Sequence, residues 1–420
     1  MEKRKGNVAV VILAAGEGTR MKSKIPKVMH PICARPMLGY VLDLVEDLRI
    51  PRVIAVLGHR HQEVRKILPP DIKVVIQKRL LGTADAVSVA QGALKGFKGT
   101  LLVLYGDNPL LAKETIQRLL KYHTENNLDA TLLTAKLAKP RGYGRIIRDK
   151  YASISGIVEE KDADDYQKDI REINTGIICF NKDKLYSVLK YVRPNNRKKE
   201  YYLTDIAGIF YKKGYSIDGV RLSNMDEALG INSREDLAKA NKIMQKRING
   251  DLMEQGVTIV DPDSAFISFG TRIGSDTTIY PFTVIERDVK IGRRCSVGPF
   301  AHLREGTYLE DDVRVGNFIE IVRSRISSKT RARHFGYLGD SRIGRHVNIG
   351  AGTVTANFDG HKKNITVIKE RAFIGSDTVL IAPVKIGKGA KTGAGSVVVR
   401  STNVPDATTV AGVPARPLKK

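Results

Sequence analysis

The stretch Arg272-Ile273-Gly274-Ser275-Asp276-Thr277-Thr278-Ile279-Tyr280-Pro281-Phe282-Thr283-Val284-Ile285-Glu286-Arg287-Asp288-Val289-Lys290-Ile291 has an aliphatic residue at every sixth position. The spacing continues through Val297, Leu303, Leu309, Val315 and Ile321. After an interruption it returns at Ile343 and Ile349, then at Ile374, Leu380, Ile386 and Val398. A step of six fits neither the 3.6-residue period of a helix nor the alternation of a hairpin strand. It is the hexapeptide signature of a parallel β-helix, in which one inward aliphatic per flat face stacks on its counterpart one coil away. Glycine often follows that aliphatic, as in Ile273-Gly274, Ile291-Gly292, Ile349-Gly350 and Ile386-Gly387, so that the chain can turn the corner. Residues 355–367 break the period with a polar and basic run that includes His361, Lys362 and Lys363. A loop thrown out of a solenoid is where function usually sits.

Upstream of residue 256 the pattern is different. Val8–Ala15, Arg52–Leu57, Lys73–Gln77, Thr100–Tyr105, Ala130–Thr134 and Gly176–Phe180 are short Val-, Ile- and Leu-rich runs that fit buried strands. Met37–Leu48, His61–Ile67 and Lys113–Thr124 lie between them with helical periodicity, and this alternation argues for a mostly parallel α/β sheet. Ser233 with Asp236 three residues on is a capping-box start for a helix carrying Leu237, Met244, Ile248 and Leu252 on one face. The chain therefore divides into an α/β domain over 1–232, a helical linker arm over 233–255 and a β-helix over 256–420.

Composition bounds the function. A chain of 420 residues, 42% hydrophobic and 27% charged, holds more than one domain and is not mostly disordered. Cys33, Cys179 and Cys295, odd in number and far apart, make neither a disulfide framework nor a zinc cluster, which points to a reducing compartment. No apolar stretch is long enough to span a bilayer, and a cytoplasmic location is expected. The net charge of +25 is spread, about +17 over residues 1–250 and about +8 beyond them. Diffuse basicity suits polyanionic small molecules. Neither a reader motif nor an aromatic stacking pattern supports nucleic acid, and tryptophan is absent.

The chemistry of the first domain gathers around Leu13-Ala14-Ala15-Gly16-Glu17-Gly18-Thr19-Arg20-Met21 and Pro26-Lys27. Two glycines after a strand let backbone N–H groups approach a phosphate chain. Gly-Lys-Ser/Thr is missing, so this is not a Walker loop, and Met21 stands where a dinucleotide fingerprint needs its third glycine. Arg20 and Lys27 supply cations within reach of the same phosphates. Asp107, in Tyr105-Gly106-Asp107 at a strand end, can hold Mg²⁺ on nucleotide phosphates or cap a helix.

With Gln77 and Leu81-Gly82-Thr83, Gly142-Tyr143-Gly144-Arg145, Ile157-Val158-Glu159, Glu172–Gly176, Tyr201–Asp205 and Gly230-Ile231-Asn232, these motifs resemble one bacterial family. Its members join N-acetylglucosamine-1-phosphate uridylyltransferase to glucosamine-1-phosphate N-acetyltransferase and make UDP-N-acetylglucosamine. The resemblance covers nearly the whole chain. It implies a Rossmann-like nucleotidyltransferase domain followed by a left-handed parallel β-helix that trimerises, the left hand coming from the family. By that resemblance Leu13, Ala14, Ala15, Gly16, Thr83, Tyr105 and Gly106 line the nucleotide site, and Gln77 and Gly82 read the uracil edge. Gly144, Glu159 and Asn174 hold the sugar, Asp107 and Asn232 bind Mg²⁺, and Arg20 and Lys27 stabilise the phosphates. Leu80 stands where the family commonly has a second polar residue beside the base.

In the β-helix the motifs His334–Asp340 and Asn348–Thr353 match the same family. His334 corresponds to the general base that takes a proton from the attacking sugar amine. Arg304, Tyr337, Asn348 and Lys363 match acceptor-binding positions. Ala351, Asn357, Ser376 and Ala394 match the acetyl-CoA groove, with Phe358 in place of a tyrosine. Val322 replaces a lysine expected to meet the acceptor phosphate. UTP, N-acetylglucosamine-1-phosphate, glucosamine-1-phosphate and acetyl-CoA are the implied small-molecule partners, with no nucleic acid and no membrane insertion. His59 and His61 read as exposed surface residues. Two rival readings remain: a uridylyltransferase whose β-helix only builds the trimer or acylates another acceptor, and a non-catalytic regulatory subunit. Lys27 and Asp107 weigh against the second.

Overall fold

The computed structural model describes residues 7–58 and 60–418 and divides into two compact units, Met1–Asn241 and Lys242–Lys420. In the first unit the apolar run at the start becomes the strand Val8–Ala14, parallel to Thr100–Tyr105 on one side and to Arg52–Leu57 on the other. Ala9, Val10, Val11 and Ile12 have no exposure at all. A strand covered on both faces needs a continuous apolar run, which is what the sequence shows. The main path of the sheet runs Ile217–Arg221, Ala130–Lys136, Glu172–Asn181, Thr100–Tyr105, Val8–Ala14, Arg52–Leu57, Lys73–Ile76. Only Glu172–Asn181 runs against the others. It also carries the hairpin Gly144–Arg148 and Ile154–Val158, through Asn174 opposite Gly144 and Ile173 opposite Arg145.

The helices Met37–Asp47 and Lys113–Glu125 match the sequence reading within a residue, whereas the one from His61 stops at Arg65. The capping box forms as expected: the Asp236 backbone N–H donates to Ser233 Oγ at 3.1 Å, and the Ser233 N–H to Asp236 Oδ2 at 2.9 Å. The helix it opens, Arg234–Glu254, spans the expected linker and contains the boundary between the units. Its Asn241 Oδ1 accepts from the Cys33 N–H at 2.9 Å, within the first unit. Its Asn249 Nδ2 donates to the carbonyls of Pro262 and Ala265, within the second.

The second unit is the left-handed parallel β-helix, three sheets of ten, eight and eight short strands. The inward aliphatics pair as the period requires, Ile279 with Val297 and Ile291 with Leu309, 18 residues apart. The gap in the sequence period between Ile321 and Ile343 is not a gap in the solenoid. Ile326, Ala332 and Leu338 fill it and are buried, because two coils run 17 residues in place of 18. The next coil takes 25 residues from Ile343 to Ile368, and the excess is the loop thrown out after Ala356.

Candidate functional site

In the first unit the strand ends open into a cleft of about 1190 Å³ lined by Leu13, Ala14, Ala15, Gly16, Arg20, Lys27, Gln77, Gly82, Thr83, Tyr105, Asp107 and Asn232, among others. The loop leaves Val8–Ala14 and turns at Gly18, where φ is +67° and a Cβ would lie 2.5 Å from Lys27 Cβ. Glycine alone lets the loop and Lys27 lie this close. Lys27 is nearly buried, and its Nζ pairs with Asp107 Oδ2 and donates to Asn232 Oδ1 at 2.8 Å. The exposed Arg20 donates from Nη2 to the same Asn232 oxygen, again at 2.8 Å. Four residues from positions 20, 27, 107 and 232 thus form one network at the mouth of the cleft. The Asp107 carboxylate is engaged there instead of capping a helix.

At the other end of the cleft Gly82 has φ +122°, and a Cβ on it would lie 2.4 Å from the Tyr201 carbonyl oxygen. The backbone is zipped there: Tyr201 N–H donates to Leu81, Ala84 N–H to Tyr201, and Leu203 N–H to Thr83 Oγ1. Gln77 is buried beside it, with Nε2 donating to the Gly82 carbonyl at 3.1 Å and to Asp85 Oδ2 at 2.7 Å. Gly106 supports the floor, its N–H donating to the Leu13 carbonyl at 2.9 Å. Gly144, Glu159 and Asn174 do not line this cleft but adjoin it. Asn174 faces Gly144 across the strands, and a Cβ on Gly144 would meet the Glu159 carboxyl carbon at 3.6 Å. Burial pushes the Glu159 carboxyl up from its usual range while Thr204 Oγ1 donates to it at 3.0 Å. Tyr105 lines the cleft and packs next to Gly176, and burial, then the charges of Glu159 and Asp107, raise its phenol.

The β-helix places most of its expected residues at two edges of the face that carries the strands Gly336–Gly339, Thr353–Ala356 and Val379–Ile381. His334, Asn348, Ala351, Ser376 and Ala394 line one cavity of about 480 Å³ at the corner entering these strands. At the far edge of that face Asn357 donates from Nδ2 to the Tyr337 hydroxyl at 3.3 Å and also bonds Asp340. Both Asp340 oxygens accept from Arg323 at 2.7 Å, and this pairing holds the Asp340 carboxyl below the usual carboxylate range. Val322 is buried. Arg304 donates to Glu320 Oε1 at 2.6 Å. Phe358 is exposed and bridges to Lys363 across the loop. Asp359 fixes that loop by accepting from the His361 and Lys362 N–H groups, from Asn364 and from Arg400 Nη2 at 2.9 Å.

Residues 10–162 match the MobA-like NTP transferase domain, and residues 270–305 and 365–400 match bacterial transferase hexapeptide repeats. The bifunctional protein GlmU of Thermosipho africanus (strain TCF52B) is 46% identical over 421 residues, covering 92% of this chain and 91% of its own. The bifunctional protein GlmU of Alkaliphilus metalliredigens (strain QYMF) is 41% identical over 423 residues, covering 93% and 92%. That of Halalkalibacterium halodurans is 41% identical over 425 residues, covering 93% of each. The chain belongs to this GlmU family. It is accordingly a bifunctional transferase of UDP-N-acetylglucosamine synthesis, with a nucleotidyltransferase half and a hexapeptide acetyltransferase half.

Placement against the sequence reading is uneven for this GlmU-family chain. Asn357 and Phe358, matched to the acetyl-CoA groove, lie outside the cavity that holds His334 and Ser376; Asn357 is tied to Tyr337 and Asp340 instead. His61, read as exposed, is half-buried and lines the cleft, whereas His59 lies outside the described residues. The sequence reading passed over Arg60, Lys78, Lys198 and Glu200, which also line the cleft. The basic run Arg197-Lys198-Lys199 next to the Tyr201–Asp205 motif was the available signal for Lys198. Asp85 had no sequence signal, since an acidic residue in the first turn of a helix is ordinary.

Proposed function

We propose that the cleft network carries uridylyl transfer and that the His334 cavity carries acetyl transfer. The observation that supports the first most strongly is the convergence of Arg20, Lys27, Asp107 and Asn232. Asp107 and Asn232 each offer a hard oxygen to one point, and no cluster of three or more acidic, His or Cys ligands occurs among the described residues. Such a donor set fits Mg²⁺, which is commonly held by one or two protein oxygens together with substrate phosphates and water. When bound, Mg²⁺ would neutralise charge on the nucleotide phosphates.

In the reaction a sugar-1-phosphate oxygen forms a bond to the α-phosphorus of UTP, and the bond to pyrophosphate breaks in line. No protein nucleophile is required, so positioning and charge neutralisation carry the step. Arg20 and Lys27 concentrate two positive charges where the phosphates develop theirs, and Asn232 orients both. Gly144, Glu159 and Asn174 hold the sugar beside Tyr105, while Gln77 and Gly82 meet the base. In the β-helix the sugar amine attacks the acetyl thioester carbonyl, His334 accepts the amine proton, and the coenzyme A thiolate leaves. Arg304, Tyr337, Asn348 and Lys363 bind the acceptor, and Ala351, Ser376 and Ala394 the cofactor. The separation of Tyr337 and Lys363 from the His334 cavity supports a site completed by a second chain of a homotrimer. No described helix is long and apolar enough to cross a membrane, and the cytoplasm is the proposed location.

Purified protein supplied with glucosamine-1-phosphate, acetyl-CoA, UTP and Mg²⁺ tests this, with thiol and pyrophosphate release followed separately. Both are expected. Pyrophosphate release without thiol release at any acceptor concentration would leave the β-helix as a scaffold or an acyltransferase for another amine.

A further inference from the structure

A glutamine can present either its carbonyl oxygen or its amide nitrogen to a ligand, and the two ends select opposite partners. In this chain the choice is already made. Both N–H bonds of Gln77 Nε2 are spent, one on the Gly82 carbonyl at 3.1 Å and one on Asp85 Oδ2 at 2.7 Å. The side chain is buried at the wall of the cleft, so the polar atom it can offer a ligand is the acceptor Oε1. Asp85 sits in the first turn of the helix Thr83–Val89 and does not itself line the cleft. An ionised carboxylate accepts only, so it cannot pair with Oε1 if the amide turns over.

We infer that Asp85 is a positioning residue that fixes Gln77 as an acceptor-only reader and thereby sets the preference for a nucleotide base bearing an imide N–H. Uracil carries that donor at N3, whereas N3 of cytosine is an acceptor and would face Oε1 lone pair to lone pair. The inference rests on the proposed contact between Gln77 and the base. The seat is stiff enough for orientation to matter. Leu81, Thr83 and Ala84 are held to Tyr201–Leu203 by backbone and hydroxyl bonds, and the Gln77 N–H donates to Leu57 at 2.8 Å. With the Asp85 acceptor removed, only the Gly82 carbonyl still holds Nε2, and the amide can turn over to present its NH₂ to the base.

The test is the ratio of kcat/KM for UTP to that for CTP. Asp85→Ala should lower the ratio about tenfold, the worth of one hydrogen bond turned from mismatch to match, mainly by raising the CTP value. The nearly isosteric Asp85→Leu gives the same reading should Asp85→Ala fold poorly. Asp85→Asn, whose Oδ1 can accept the same N–H, should restore most of the discrimination. Asp85→Ala in a Gln77→Ala background should change the ratio no further. If Gln77→Ala leaves the ratio at its wild-type value, Gln77 does not read the base and the proposed contact fails. If Gln77→Ala collapses the ratio while Asp85→Ala and Asp85→Leu leave it intact, the contact stands and the positioning role is overturned. An Asp85→Asn ratio as low as that of Asp85→Ala also overturns it.

Discussion

The α/β cleft and the β-helix solve the same problem of assembling a candidate site in opposite ways. In the α/β unit, Arg20, Lys27, Asp107 and Asn232 are up to 212 positions apart in sequence and still share hydrogen bonds. Parallel strands bring their carboxyl ends to one edge whatever the sequence separation, so one chain completes the network. In the solenoid each coil touches only its neighbours, and a residue's place is set by its phase in the period. His334, Ala351, Ser376 and Ala394 therefore stack at one corner of successive coils, while the Tyr337 hydroxyl meets Asn357 at the far edge of the adjoining face. A sheet can close a site on itself; a prism with flat faces is better placed to share one.

The sharpest way to break this contrast is to disable one half alone. Asp107→Ala removes the only carboxylate of the cleft network and should lower pyrophosphate release by about 10³-fold or more, while thiol release continues. An equal loss of both activities would show that the two sites are not independent. His334→Ala should lower thiol release by about 10²–10⁴-fold with uridylyl transfer unchanged. Mixed trimers of His334→Ala and Lys363→Ala chains should regain part of the lost activity if two chains share the site. No recovery in co-purified mixed trimers would show that one chain suffices.

Stability should follow the same division. Ile349 is 4% exposed and packs between Ala332 and Ile374 of the neighbouring coils. Ile349→Ala should destabilise the β-helix by about 2–5 kcal/mol, seen by calorimetry, with uridylyl transfer retained at 25 °C. The smallest effect concerns Asp205. Burial first, then the charges of Glu159 and Asp162, push its carboxyl up to about 6. A folded-state value above the unfolded one means that the folded protein binds more protons between about pH 4 and 6, so stability falls as pH rises through that window. Asp205→Asn should raise Tm at pH 7 by a few degrees, and the difference should vanish below about pH 4. A difference that persists at pH 4 would assign the effect to packing rather than to charge.

Legibility differed between the halves for the same reason. The period of six placed nearly every inward aliphatic, because in a solenoid phase is position; it faltered where two 17-residue coils and one 25-residue coil shift the phase. In the α/β unit the strands that form its buried centre were readable as apolar runs, but the hairpin Gly144–Arg148 and Ile154–Val158 was not. Gly144, Arg145, Arg148, Ser155 and Gly156 interrupt its apolar residues.

By itself the sequence determined the two architectures and the motif set that ties the chain to its family. Local spacing and residue chemistry suffice for these. Only the tertiary structure decided what depends on residues meeting across the fold. It tied Lys27 to both Asp107 and Asn232, took Asn357 away from the His334 cavity, and put Asp85 behind Gln77. A sequence states which donors and acceptors exist. Which lone pair faces the ligand is set by the partners that have already claimed the others.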